Sequence, residues 1–310
     1  MAASNRGQAG MERGESGAVD RPEADLRRVL APNPSPMTFH GTNTFIVGTG
    51  EVAVIDPGPA IDAHLSAILG ALDPGERIGA ILVTHSHLDH SPLARPLAEA
   101  TGAPVLAAGP SDWGRSPVMA ALAQAGGVGG GEGIDSDFAP DRRIGTGDVI
   151  GGGWGEIEVL ETPGHMANHL SFAWRGALFS GDLVMGWSTS LVSPPDGDMT
   201  AFMASLDALS RRHDRLYYPG HGSEVTDPAG RVAELVAHRR GREAQILAAL
   251  GRLGSCTAAA LAEDIYTETP PALLPAAARN VLAHLIDLKE RNLAESEGVI
   301  TADTGFRLVS

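Results

Sequence analysis

The chain has 310 residues, 43% of them apolar, and 23 Lys and Arg stand against 38 Asp and Glu, a formal net charge of −15. That length suggests about two domains, the apolar share supplies a substantial core, and the acidic balance speaks against a broad basic surface for duplex DNA. The sole cysteine, Cys256, excludes an intrachain disulfide, and no apolar run reaches the roughly 18 residues of a membrane span.

Residues 1–22, opening "MAASNRGQAGMERGESG", are polar and glycine-rich and lack the apolar centre of a secretory signal. They read as a flexible N-terminal tail of a cytoplasmic protein. "TFIVG" and "VAVID" are short β-rich runs flanking a turn at Thr49-Gly50-Glu51. "AIDAHLSAILGAL" reads as a helix, "IGAILV" as a strand, "PLARPLAEA" as a helix and "APVLAA" as a strand. This alternation argues for an α/β arrangement. Residues 126–138, "GGVGGGEGIDSDF", are too rich in glycine for regular structure. Without a P-loop lysine or a strand-borne G-x-G-x-x-G, they read as a mobile surface loop rather than a phosphate cradle.

"EIEVLETPGH", "LSFAWRG" and "ALFSGD" give three further strands, "MTAFMASLDALSRR" a helix, and "RLYYPGH" a strand running into a loop. Asp227-Pro228 is a helix start, with Asp at the N-cap and Pro at the first helical position. A helix from there to about Leu253 closes a first block, residues 23–253. Residues 254–310 change character. "TAAALAEDIY" spaces Leu261 and Ile265 helically, and "AAARNVLAHLIDLKERNL" puts Val281, Leu285 and Leu288 on one face. The β candidates "GVIT" and "FRLVS" follow, completing the order of a small winged-helix domain.

The chemistry concentrates in "ILVTHSHLDH", where an apolar strand runs into His85, His87, Asp89 and His90. Three imidazoles and a carboxylate at the mouth of a buried strand are expensive to leave unsatisfied. A borderline metal such as zinc takes N and O ligands of this kind. Three more ligand-type residues each follow a strand: His165 in "TPGH", Asp182 in "FSGD" and His221 in "YPGH". Strands ending on one sheet edge would carry all of them to one place. His169, four residues after His165, reads either as a donor to a substrate carbonyl or phosphoryl oxygen or as a structural histidine opening the next strand.

The run H-x-H-x-D-H, a later histidine, an aspartate after "SG" and a last histidine in "PGHG" resemble the metallo-β-lactamase superfamily over about residues 38–250. The resemblance implies an αββα sandwich with two metal ions, zinc first among them, at one edge. It assigns His85, His87 and His165 to one ion, Asp89, His90 and His221 to the other, and Asp182 as the bridge. Asp56 matches a position that supports a metal-ligating histidine in that superfamily; as a residue it reads equally as a turn aspartate before Pro57-Gly58. Zinc lowers the pKa of bound water towards about 7, so hydrolysis needs no serine or cysteine nucleophile. Asp89, Asp182 and His169 are the candidate catalytic residues.

Asp182 and the lack of an export signal separate the chain from true zinc β-lactamases, and the winged-helix pattern separates it from glutathione thioester hydrolases. The tail is most similar to the lactamase-beta-like endoribonuclease branch, which implies a phosphodiesterase acting on single-stranded RNA. Arg279 and Arg291 are then the candidates to hold the strand. The alternative is a hydrolase of small-molecule thioesters, esters or lactones, with the winged helix as a lid or dimer contact and an oligomer allowed. No membrane partner is expected. Residues 231–310 carry nine Arg or Lys and ten Asp or Glu, a balance that neither excludes RNA nor advertises it.

Overall fold

A computed structural model describes residues 18–131, 133–296 and 298–309. The chain opens with β1 (Val19–Glu23), β2 (Leu26–Leu30), β3 (Asn43–Val47) and β4 (Glu51–Ile55), then α1 (Asp62–Gly70) and β5 (Arg77–Leu82). Next come α2 (Ala94–Thr101), β6 (Val105–Ala107), α3 (Pro117–Ala125) and β7 (Arg142–Arg143). These seven strands form one sheet in sequence order, antiparallel from β1 to β4 and parallel from β4 to β7. The second sheet takes β8 (Val149–Gly152), β9 (Gly155–Glu161), β10 (Leu170–Trp174) and β11 (Ala177–Gly181). After α4 (Met199–Ser210), β12 (Leu216–Pro219) joins it beside β11 in parallel, giving the order β12-β11-β10-β9-β8. The long α5 (Pro228–Leu253) leads into α6 (Ala258–Ile265), α7 (Leu274–Glu290) and the ribbon of β13 (Ala294–Ser296) with β14 (Phe306–Leu308).

Period-two alternation on strands buried on both faces sets the layers. Phe45 and Val47 of β3 point between the sheets, where they meet Ile157, Phe172, Trp174 and Phe179 of the second sheet. Ile46, between them in sequence, points outwards with Val54 and Ile81 onto Ile68 of α1 and Leu97 of α2. On the far side, Leu178 and Tyr217 pack against Phe202 and Leu206 of α4 and Val232 and Leu235 of α5. Helices therefore cover both outer faces, and the αββα sandwich is as expected. No helix among the described residues is long and apolar enough to cross a membrane.

Three expectations change. Residues 19–22 are not tail: Val19–Glu23 pairs antiparallel with β2 as the sheet's edge strand. The first strand of the wing is "AES" rather than "GVIT", because Thr301 N–H donates to Thr304 Oγ1 (2.7 Å) and turns the chain there. The border at 253 also cuts through a core. Ile246 and Leu250 of α5 pack with Leu261, Val281, Leu285 and Phe306 of the winged helix, and so do Met119 and Leu122 of α3 and Val128.

Candidate metal centre

The ligand-type residues converge because strand ends from both sheets meet at one edge. β5 ends at Leu82, β11 at Gly181 and β12 at Pro219, each one to three residues before a candidate ligand. Backbone bonds lock these ends together: Leu170 N–H donates to Thr84 O (2.7 Å), Gly220 N–H to Gly181 O (2.9 Å) and Asn43 N–H to Gly220 O (2.7 Å). The Asn43 amide adds bonds to Pro219 O (3.0 Å) and Gly222 O (2.9 Å), which hold the His221 loop against β3.

His85, His87 and His165 form one donor set and Asp89, His90 and His221 another, with His85, His90 and Asp182 between them. The ligand atoms of each set lie within 4.8 Å of one another. His87 Nδ1 stands 3.0 Å from both His85 Nε2 and His165 Nε2. His90 Nε2 is 3.3 Å from His221 Nε2. Asp182 Oδ2 lies 3.3 Å from His221 Nε2 and 3.7 Å from His165 Nε2, so one carboxylate faces both sets.

The outer ring nitrogens fix the tautomers. Thr84 Oγ1 donates to Asp56 Oδ2 (2.7 Å) and so accepts from His85 Nδ1 (3.0 Å). His90 Nδ1 donates to Asp56 Oδ2 (2.9 Å), His165 Nδ1 to Leu191 O (2.7 Å) and His221 Nδ1 to Gly41 O (3.1 Å). Four imidazoles are thereby held with Nε2 lone pairs turned inwards, the arrangement metal-ligating histidines take. Lone pairs this close repel unless a cation lies among them, and buried Asp182 Oδ1 has no hydrogen-bond partner among the described residues. A Cβ on Gly220 would stand 2.5 Å from Asp182 Oδ1 and 2.7 Å from His90 Cε1, so the space beside the cluster is kept by a glycine. The residues fit a metal site.

Electrostatics divide the two sets. Burial, followed by neighbouring histidines, pushes His85 well below the ordinary imidazole range and His87 down to about 3. Burial opposes charge on His90 and His221 as well, but the carboxylates outweigh it. Asp89 and Asp182 lift His90 well above its ordinary value, and Asp182 with Asp89 lifts His221 to about 9. Burial likewise works against ionised Asp182, yet His221 and His90 hold its carboxyl well below the usual range. The same negative field that raises these histidines favours any cation placed there.

All seven residues read from the sequence thus come together, and Asp56 buttresses His90. His169 lies behind the cluster, against the Asp182 backbone. Asp182 N–H donates to His169 Nε2 (3.1 Å), so the ring proton sits on Nδ1 and goes to Thr162 Oγ1 (2.9 Å). Both ring nitrogens face protein groups and the ring is buried against the Asp182 backbone. Thr84 and Asn43 were not anticipated. A threonine next to a histidine and an asparagine opening a strand carry no spacing signal.

The glycine-rich stretch is also more than a mobile loop. Leu88 N–H donates to Gly133 O (2.8 Å), Asp135 N–H to Ser86 O (2.9 Å) and Ser91 Oγ to Asp135 Oδ2 (2.8 Å), which stitches it to the ligand loop. The arginines expected to hold RNA are engaged elsewhere. Arg279 donates to Ser193 Oγ (2.8 Å), Val128 O and Pro194 O, and Arg291 pairs with Glu243 (2.7 Å) and Asp287 (3.4 Å). The other two basic residues of 254–310 are Lys289, bonded to Ser296 Oγ (2.7 Å), and Arg307, paired with Glu295 (2.8 Å).

A four-layer sandwich with histidine and aspartate donors gathered at one sheet edge defines a metal-dependent hydrolase fold. The chain belongs to the Metallo-beta-lactamase superfamily, whose family model matches residues 37–221. Residues 257–301 match the beta-lactamase associated winged helix domain. Among its relatives, the chain is 31% identical to a Beta-lactamase-like protein 2 homolog of Drosophila melanogaster, over 93% of this chain and 95% of that one. It is 30% identical to an Atrochrysone carboxyl ACP thioesterase of Aspergillus fumigatus, over 81% and 78% of the two chains. A beta-lactamase domain protein from Burkholderia ambifaria shares the fold, with a TM-score of 0.78 at 22% identity over 96% and 95% of the chains.

Proposed function

We propose that this chain is a dinuclear hydrolase, zinc its expected ion, that cleaves acyl thioesters or esters. The observation that carries hydrolysis is the paired donor sets sharing Asp182, with Oδ2 within 3.7 Å of a histidine from each. Ions held there would supply Lewis acidity and a water activated near neutral pH. The residues of the chain do the rest. Asp56 and Thr84 orient His90 and His85, His169 holds the Asp182 backbone, and Asp89, a quarter exposed, stands 3.1 Å from His221 Nε2 as the most accessible carboxylate of the cluster.

The substrate class follows from charge. Residues 254–310 contain four basic side chains against eight acidic ones, and all four basic groups already have acceptors within the protein. A phosphodiester strand gains its affinity from such cations, so the nuclease reading loses the arginines it relied on. A neutral acyl group asks for none, and a thioesterase is among the relatives of similar length.

The test is paired. Gently purified protein is assayed for metal, then offered acetyl and decanoyl thioesters in parallel with single-stranded RNA. About two transition-metal equivalents and thioester turnover are expected, with Asp182→Ala losing on the order of 10²-fold or more while remaining folded. RNA cleavage by protein that leaves every thioester and ester intact would return the nuclease reading.

A further inference from the structure

We propose that the segment 127–131 with 133–135 forms the substrate-selecting rim of the metal site, and that Arg279 of the winged helix is the positioning residue that fixes it. The rim is held at both ends. On one side Arg279 reaches from α7 to Val128 O, while Nε binds Ser193 Oγ (2.8 Å) and the other terminal nitrogen binds Pro194 O. Ala302 N–H donates to Gly127 O (2.9 Å), and Val128 is buried in the winged-helix core. On the other side, Gly133 O and Asp135 N–H bond the backbone of Leu88 and Ser86, and Ile134 pairs with His87 itself. Midway, Asp196 accepts Gly131 N–H (2.9 Å) on one oxygen and Arg115 (2.7 Å) on the other.

The placement matters because the ligand loop is the open side of the centre. His85, His90 and His221 are buried, whereas His87 is half-buried, the Asp89 side chain is 26% exposed and Leu88 is 51% exposed. In this proposal a substrate reaching the donors from solvent passes Leu88 and the backbone at Gly131 and Gly133, where nothing among the described residues stands within 4 Å of the position a Cβ would take. Gly130 must be glycine for this path: its φ is +114°, and a Cβ would lie 2.5 Å from Pro195 Cδ. A guanidinium with three acceptors on two loops is a rigid fork that a single ammonium reproduces only in part.

The experiment compares wild type, Arg279→Ala, Arg279→Lys and Gly130→Ala as full-length, metal-loaded proteins. Hydrogen exchange is read at the amides of Leu88 and Asp135, and kinetics on acetyl and decanoyl thioesters. In Arg279→Ala both amides should exchange at least about tenfold faster, with KM for the decanoyl ester up about three- to tenfold and acetyl kinetics unchanged. Arg279→Lys should recover part of both effects. Gly130→Ala, which perturbs the rim without touching the winged helix, should reproduce them, and it serves if Arg279→Ala does not fold. Unchanged exchange at both amides overturns the proposal, as does an equal fall in kcat on both esters with KM constant, the signature of a purely structural arginine. The kinetic arm rests on the acyl-ester reading above. If no thioester is turned over, that reading fails, while the exchange data still decide the rim.

Discussion

Asp56 shows how much one side chain carries at this site. It adopts φ +50°, a left-handed conformation costing a non-glycine residue on the order of 1 kcal/mol. Two bonds to Thr84 (both 2.7 Å) and one to His90 hold it there. Asp56→Asn keeps the size but loses the carboxylate that accepts both the Thr84 hydroxyl and His90 Nδ1. Metal affinity should fall about 10- to 100-fold, the usual cost of removing such a support, in a titration against a competing chelator; unchanged affinity would remove Asp56 from the site. Buried histidines outside the site add to acid sensitivity. His284 is buried on α7, neither ring nitrogen has a partner among the described residues, and burial pushes its pKa to about 3, while His64 is pushed to about 4. Below the ordinary value of 6.5 the unfolded chain binds protons that the folded chain refuses. Stability is therefore complete above that value and drains away as the pH falls towards the folded values. His284→Leu, which removes two unsatisfied polar atoms, should lose less Tm between about pH 7.5 and about pH 5 than wild type. A Tm that falls in parallel with wild type would show His284 to be spectator to acid unfolding.

At the scale of elements, a strand is useful here for where it stops. β11 and β12 end side by side in one sheet and β5 ends in the other, and just beyond these ends come Asp182, Gly220 and Val83-Thr84 with their neighbouring ligands. Because β11 and β12 run parallel, Gly181 pairs with Pro219, and Asp182 and His221 are delivered to the same height. Gly220→Ala should leave the sheet intact, since its φ is ordinary, yet drive a methyl between Asp182 and His90. The expected result is unchanged circular dichroism, less than full metal loading and about 10²-fold slower turnover, as when a charge-stabilising group is displaced. Full loading with normal turnover would mean that Asp182 has room to retreat. This is also the scale at which the sequence is most legible. Ligands that follow apolar runs and precede turns announce themselves by type and position, and Asp227-Pro228 fixes the start of α5. The elements not anticipated have physical reasons. β1 and β2 are rich in charged residues, "VDRPE" and "LRRVL", because Arg27 and Arg28 are buried against Glu76 and Asp20 rather than exposed. The wing strand "AES" is too short and polar to show a period, whereas "GVIT" has β composition but turns at Thr301. The rim is invisible in composition, since glycine signals only that side chains are excluded and says nothing of the Arg279, Asp196 and Leu88 partners that hold it.

For the whole molecule, the two blocks suggested by sequence are joined by more than a covalent link. α5 packs its first half, Val232 and Leu235, under the second sheet and its second half, Ile246 and Leu250, in the winged helix. Met119, Leu122 and Val128, inserted between β6 and β7, complete that second core, and Ala283 of α7 returns the contact by packing with Phe202 of α4. Polar contacts cross the same seam: Val192 N–H and Arg239 both donate to Asn280 Oδ1 (3.0 and 3.1 Å), and Thr200 donates to Asp287 (2.6 Å). Cutting the chain after residue 253 would strip the cover from Met119, Leu122, Val128, Ile246 and Leu250 together. At about 1.5–3 kcal/mol for each buried side chain returned to water, that loss rivals the net stability of an ordinary domain. The full chain should therefore unfold in one calorimetric transition, with van't Hoff and calorimetric enthalpies in agreement. The fragment 18–253 should be recovered only as aggregate, or as a soluble form with raised dye binding and fast exchange at Leu88. Two separated transitions, or a monomeric fragment with a native Tm and full metal loading, would show that the metal domain stands alone and that the shared core is a contact rather than a dependence.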